Sequence, residues 1–365
     1  MMTSAHLLPT VLFWVLALGL LALPLWPTLA EWRRPTDVAP VPMAPAPHGT
    51  ARAQALEFEA WLQAEASQNL KAGSDRGDNR QTLQRGDHAC RVLGEPEAWW
   101  RQQRGKAIHE GLMASGDMAV PDDAVCPWEV VSLGALKLGR RVQVAAALGA
   151  DLTVGHDARV FQWARASQTL RVQTGAHLDG DCSAGQQLLL ADEVSFGRLH
   201  APTIKVASQG DDAMAEPRGR TEALPLWRPD QGEALDEAGQ TWRYPGDLTI
   251  PPRVRVAVAL IVEGDLHIAQ GAVMEAAVKV KGRTTVDAGV RMKAALVSVG
   301  ATAVGAACHL AGPVVCEAAL ALGRAVVVGS EQAMTTASAP QITLADAVTV
   351  HGSLWAHEAG RVLRA

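Results

Sequence analysis

The sequence predicts a mainly β fold, a parallel β-helix of about 18 residues per coil in two tandem copies, preceded by a transmembrane helix and a small α-helical region. Three observations predict the β-helix. Stepping by six from Leu248 gives Leu248, Val254, Leu260, Leu266, Ala272, Val278 and so on to Val326, and twelve of these fourteen positions are apolar. A second column two residues later, Ile250 to Val328, is apolar at thirteen of fourteen, where the chain-wide 48% would give about seven. A helix of 3.6 residues per turn cannot hold a period of six on one side, whereas a pair at i and i+2 is the inward side of a short strand. The second observation is glycine spacing: Gly264, Gly282 and Gly300 are 18 apart, as are Gly271 and Gly289. Corners of a three-sided coil favour the residue without a Cβ. The third is an echo: Ser115-Gly116-Asp117-Met118-Ala119-Val120-Pro121 returns further along the chain as Pro245-Gly246-Asp247-Leu248-Thr249-Ile250-Pro251.

Taken in order, residues 1–32 hold a transmembrane anchor. Leu7 to Ala30 carries no charge over 24 positions, enough to span a bilayer core. Arg33 and Arg34 follow it directly, which places the bulk of the chain on the cytoplasmic side of a bacterial inner membrane as a single-pass protein. A cleaved signal peptide is the competing reading, but no Lys or Arg precedes the apolar run. Residues 33–50 form a spacer with five prolines between Pro35 and Pro47. Residues 51–111 read as helical, with Leu56, Phe58, Trp61, Trp99 and Trp100, and Gly73 to Gly86 as a polar loop. The tryptophans there close a small helical core; the alternative is that they cover the open end of the prism.

The first β-helix segment is 112–206, with an inward column from Met118 through Val130, Leu148 and Leu178 to Phe196. Its companion column changes side between Ala150 and Leu152, which predicts an irregular corner near Gly149. Residues 207–245 are acidic, proline-bearing and without strand pattern, an irregular insert that reads as a connector. The second segment, 246–365, is interrupted between Ser330 and Pro340 and closes with one more coil. Stacked coaxially, the two copies make nine or so coils and a rod on the order of 40 Å.

Composition excludes some functions. A net charge of −5 and a pI near 6.1 give no reason to expect nucleic acid. The five cysteines, Cys90, Cys126, Cys182, Cys308 and Cys316, lack metal-ligand spacing and read as small core residues in a reducing compartment. No cofactor or metal is expected, and Asp122-Asp123, Asp211-Asp212, Asp151, Asp157 and Asp181 read as solvated turns or corners rather than paired acids or a calcium site. Hexad repeats also resemble the left-handed β-helix acyltransferases. That resemblance implies a histidine base beside a groove for coenzyme A-linked acyl donors, and the candidates are His267 and His309. Their separation amounts to two coils and a third, which puts them on different faces.

The stronger resemblance rests on Val262-Glu263-Gly264-Asp265-Leu266-His267-Ile268, Val278-Lys279-Val280-Lys281-Gly282, Val314-Val315-Cys316 and the closing Val350-His351-Gly352-Ser353-Leu354. With an N-terminal anchor and a proline-rich spacer, the chain resembles the bactofilins, polymer-forming bacterial cytoskeletal proteins. The family usually has one uninterrupted β-helix, whereas here it is doubled and broken. The resemblance implies a non-enzymatic, self-assembling scaffold whose partners are itself, the inner membrane and cell-envelope proteins. Unpaired coil ends are templates for further ends, so Val350, Leu354 and Trp355 in the last coil are candidates for end-stacking, or for a cap. Ile261, Val297 and Val315 form an outward aliphatic stripe and are candidates for lateral contact. The runner-up function is the acyltransferase.

Overall fold

Every residue of the two predicted columns between Leu248 and Val328 is buried. In the computed structural model, which describes residues 56, 59–61, 64, 82–85, 88–103, 108–207, 224–235 and 239–364, they fill the inside of a β-solenoid. Its strands stack in three columns with parallel pairing from coil to coil. In one column Leu248 pairs with Leu266, Leu266 with Thr284, Thr284 with Thr302 and Thr302 with Leu320, a step of 18 each time. The solenoid has about 14 turns of about 18 residues, a length on the order of 65 Å at ~4.8 Å per turn. That exceeds the nine coils expected: 112–206 and 246–365 alone hold about twelve coils of 18 residues, and sequence outside them, His88–Leu93 and Thr241–Tyr244, adds to the stack. No helix among the described residues is long and apolar enough to cross a membrane, and the predicted anchor and spacer lie outside the described residues.

The irregular corner of the first segment is a short coil. Leu136 pairs with Leu152, a step of 16, and Leu188 with Ile204, again 16. The two residues are lost one at a time, and after the first loss Val130 pairs with Ala147 and Val131 with Leu148, a step of 17 that turns each side chain to the other side. As a result Leu148, predicted to point inward, packs instead with Met113, Val131, Ala146 and Trp163 on the outside, against Trp61.

The expectation of helices about a polar loop over 51–111 is corrected between Thr82 and Leu93. Thr82–Arg85 and His88–Leu93 form an antiparallel hairpin, and His88–Leu93 adds in parallel to Gly111–Ala114, the start of the first segment. The helix Pro96–Gln102 starts on a proline in its first turn and carries Trp100 into the main core beside Leu93, Ile108 and Met118. Trp99 and Trp100 therefore cover the open end of the prism rather than closing a core of their own.

The insert is also partly solenoid. Thr241–Tyr244 pairs in parallel with Ala259–Val262, Glu233–Ala234 pairs antiparallel to it, and Leu226 bridges to Arg255. Trp227, Trp242 and Tyr244 pack on the core there, so each of the two N-terminal ends is dressed with tryptophan. The break after Ser330 is shorter than expected: strand Thr335–Leu344 takes Pro340 into a bulge between Ala339 and Gln341.

The predicted corner glycines divide into two kinds. Gly271 and Gly289 have φ of 71° and 70°, the left-handed region that favours glycine. Gly282 and Gly300 are needed for closeness: a Cβ on Gly300 would lie 2.3 Å from the Gly282 carbonyl oxygen. Aspartates bind the same corner from coil to coil, with the Asp265 N–H donating to Asp247 Oδ1 and the Arg283 N–H to Asp265 Oδ1, both at 2.7 Å.

Candidate functional site

The two segments meet at their C-terminal ends. Ser195–Val206, the last coil of the first, pairs antiparallel with Thr349–Val362, the last coil of the second, in the register Phe196 with Gly360, Leu199 with Leu354 and Ile204 with Val350. Edge donors and acceptors that each end would leave open are taken up by the other end. Val350 and Leu354 are 0% exposed in this joint. Phe196 lies over the corner at Gly360, where an added Cβ would sit 2.2 Å from its ring.

Polar groups close the seam on the outside. His200 Nδ1 and Ser353 Oγ are 2.8 Å apart, and His351 Nδ1 lies 3.1 Å from the Pro202 carbonyl and 3.3 Å from Thr203 Oγ1. Trp355 has the Arg198 guanidinium 3.8 Å from its ring centre and the His357 ring stacked at 4.4 Å, yet remains 40% exposed. Thus the residues expected to stack one chain on another line a contact within one chain, and Trp355 alone of the three reaches the surface.

Ile261, Val297 and Val315 do share one outer side. Register places Ile261 beside Lys279, Lys279 beside Val297, and Val297 beside Val315. Val315 and the nearby Val299 are 38% and 40% exposed. The N-terminal half uses the same side differently. There Trp61 covers Met113, Val131 and Trp163, and Glu59 takes Arg165 Nε at 2.5 Å and Ser167 Oγ at 2.6 Å. Arg165 and Glu59 are only 14% and 13% exposed, so this is a nearly buried, hydrogen-bonded pair.

His267 and His309 stand in different strand columns, as their spacing requires: His267 lies between Thr249 and Thr285, and His309 between Arg291 and Val327. His267 Nε2 is 3.1 Å from Asp287 Oδ2. Beside Asp287 is a shallow concavity of about 480 Å³ walled by Gln270 and Thr285 and floored by Ala288, Ala303 and Gly305. Among the described residues no group of three His, Cys, Asp or Glu side chains could hold a metal ion. The cysteines are free and buried. Burial pushes the Cys90 and Cys126 thiols up to about 11 and Cys182 up to about 12, which removes thiolate chemistry at neutral pH.

No family model, curated protein or solved structure matches the chain. The joint and the covered outer face were missed in the sequence, although the second left a signal. Leu112-Met113, Val130-Val131 and Ala147-Leu148 put apolar residues on both sides of one strand, the mark of a strand buried on both faces.

Proposed function

We propose that the chain is a membrane-anchored, non-enzymatic structural scaffold of bactofilin-like character, self-associating through its β-helix. The observation that carries this reading is the antiparallel joint between Ser195–Val206 and Thr349–Val362. Two solenoid ends already associate edge to edge there, burying their apolar cores in one prism. The remaining ends are dressed by tryptophans, so further association falls to the sides of the rod rather than its tips. A stiff rod in a chain that also carries a proline-rich stretch and an apolar run suits a part that positions other proteins at the inner membrane. The test is negative-stain microscopy of the full chain in lipid vesicles across a concentration series. Ordered arrays or paired rods are expected, and isolated single rods at every density overturn the reading.

One observation favours the acyltransferase as a second reading: the His267–Asp287 pair beside the concavity floored by small residues. A carboxylate at 3.1 Å orients an imidazole as a general base needs. Titrating the full chain with coenzyme A by calorimetry separates the two. Saturable binding lost in Thr285→Trp supports the enzyme, and no heat supports the scaffold.

A further inference from the structure

One outward column crosses the joint, and its polarity reads the same from both ends. From Ile261 it runs through Lys279, Val297, Val315 and Ser338 to Trp355, each residue paired in register with the next. Arg243 flanks the column beside Ile261, and Arg198 flanks it beside Trp355. Folded about its midpoint, the column sets Val297 against Val315, Lys279 against Ser338, and Ile261 against Trp355. Both flanking arginines already have acids: Arg243 Nε is 3.4 Å from Glu263, and Arg198 Nε is 3.6 Å from Asp181.

Resting on the scaffold reading, we infer that this side of the rod is an isologous interface, taken by a second copy of the chain lying antiparallel about a two-fold axis between Val297 and Val315. A two-fold contact requires a surface complementary to itself, and the six residues of this column set no like charges against each other; only the flanking Arg243 and Arg198 meet across the axis, each beside its own acid. Lys279 keeps the Glu263 carboxylate within its field and comes opposite Ser338, which is only 9% exposed and has its hydroxyl 2.9 Å from His357 Nε2. The same side of the prism in the N-terminal half is covered by the chain's own Glu59 and Trp61, so this side of the fold is one that takes a partner. Seven steps of ~4.8 Å by three residues of ~3.3 Å give a strip of roughly 330 Å². That falls short of the ~800 Å² per partner of a standard interface, so the contact is weak between free chains. Tethering both copies to one membrane raises their effective concentration and makes it count.

The experiment is thiol cross-linking of the full chain in vesicles with a short bismaleimide. Within one chain Ile261 and Trp355 are five coil steps apart, about 24 Å, too far for the reagent. The native thiols are all buried. The double variant Ile261→Cys with Trp355→Cys is expected to give a cross-linked dimer, and each single variant none. Val315→Asp in that background is expected to weaken dimerisation about tenfold or more while leaving the β circular dichroism unchanged. A dimer from Ile261→Cys alone means the copies run parallel and overturns the two-fold. Self-association by sedimentation, with no cross-link and no effect of Val315→Asp, moves the contact to another surface and leaves the scaffold reading standing. If the parent chain does not associate at all, both fall together.

Discussion

The two halves of the rod share a fold and a starting motif but solve burial differently. In the C-terminal half the strands up to Val328 are two to four residues long, and one outer side is left bare. In the N-terminal half the strands Val125–Ser132, Gln143–Gly149, Arg159–Ala166 and His177–Ala184 run on around a corner through bulges. There one outer side is apolar and covered by the chain itself. A strand with one buried side keeps strict alternation, and the hexad count follows from it. Once both sides are buried the outer residues become apolar as well, and short coils are tolerated because the added layer fixes the register. Strict periodicity thus marks the half that has a side to offer, and lost periodicity marks the half that has already used it.

The sharpest way to break the comparison is at the joint. Leu354→Asp puts an unpaired charge where the side chain is 0% exposed and should cost roughly 3–5 kcal/mol. The parent chain is expected to unfold in guanidinium in a single transition, which should then split in two, and small-angle scattering should report a longer, jointed particle. An unchanged single transition would mean that the halves do not depend on this seam. Glu59→Ala should come next. It leaves Arg165 nearly buried with only Ser183 at 3.3 Å, at a cost of about 3 kcal/mol, and hydrogen exchange should rise at Val131 and Leu148 but not at Val297 or Val315. A smaller effect separates the two kinds of glycine. Gly300→Ala forces backbone apart and should cost about 2 kcal/mol. Gly289→Ala has open space but a left-handed φ and should cost about 1 kcal/mol. Equal losses in thermal melts of the two variants would remove that distinction.

How much was legible follows from the same physics. The inward residues of the C-terminal half were readable because each contact repeats at a fixed sequence separation, coil on coil. Leu148 was misassigned because a bulge before it slips the count by one, and a burial pattern cannot say which side of the strand is covered. The joint was invisible for another reason. Leu199 and Leu354 come from opposite halves of the chain and meet once, so no period announces them. The lateral stripe was found from its spacing, but Lys279 and Ser338 between its members acquire meaning only when register places all six in one line.

pH offers the mildest test, and its two limbs have opposite causes. Burial holds the Cys90, Cys126 and Cys182 thiols above the ordinary 9.0. A group raised by folding stabilises fully below its unfolded value, and that contribution is lost as pH climbs from about 9 through the folded values of about 11 to 12. Alkaline melts should therefore fall over that window, with no thiol labelling at pH 8 before unfolding. On the acid side, the Arg140 backbone N–H lowers Asp122 below 3.8, the Arg141 side chain does the same for Asp123, and hydrogen bonds from Lys281 and Lys293 hold Glu263 and Glu275 below 4.5. These contributions are present above the ordinary values and are lost as pH falls through the lowered ones. All four carboxylates are at the surface, so the acid limb should be shallow and should flatten further in high salt. Replacing Lys281 and Lys293 by Ala should remove the share of Glu263 and Glu275 alone. If the joint transmits stability from one half to the other, the acid limb of the whole rod should follow that change; if each half melts for itself, only the C-terminal half's amides should respond in hydrogen exchange.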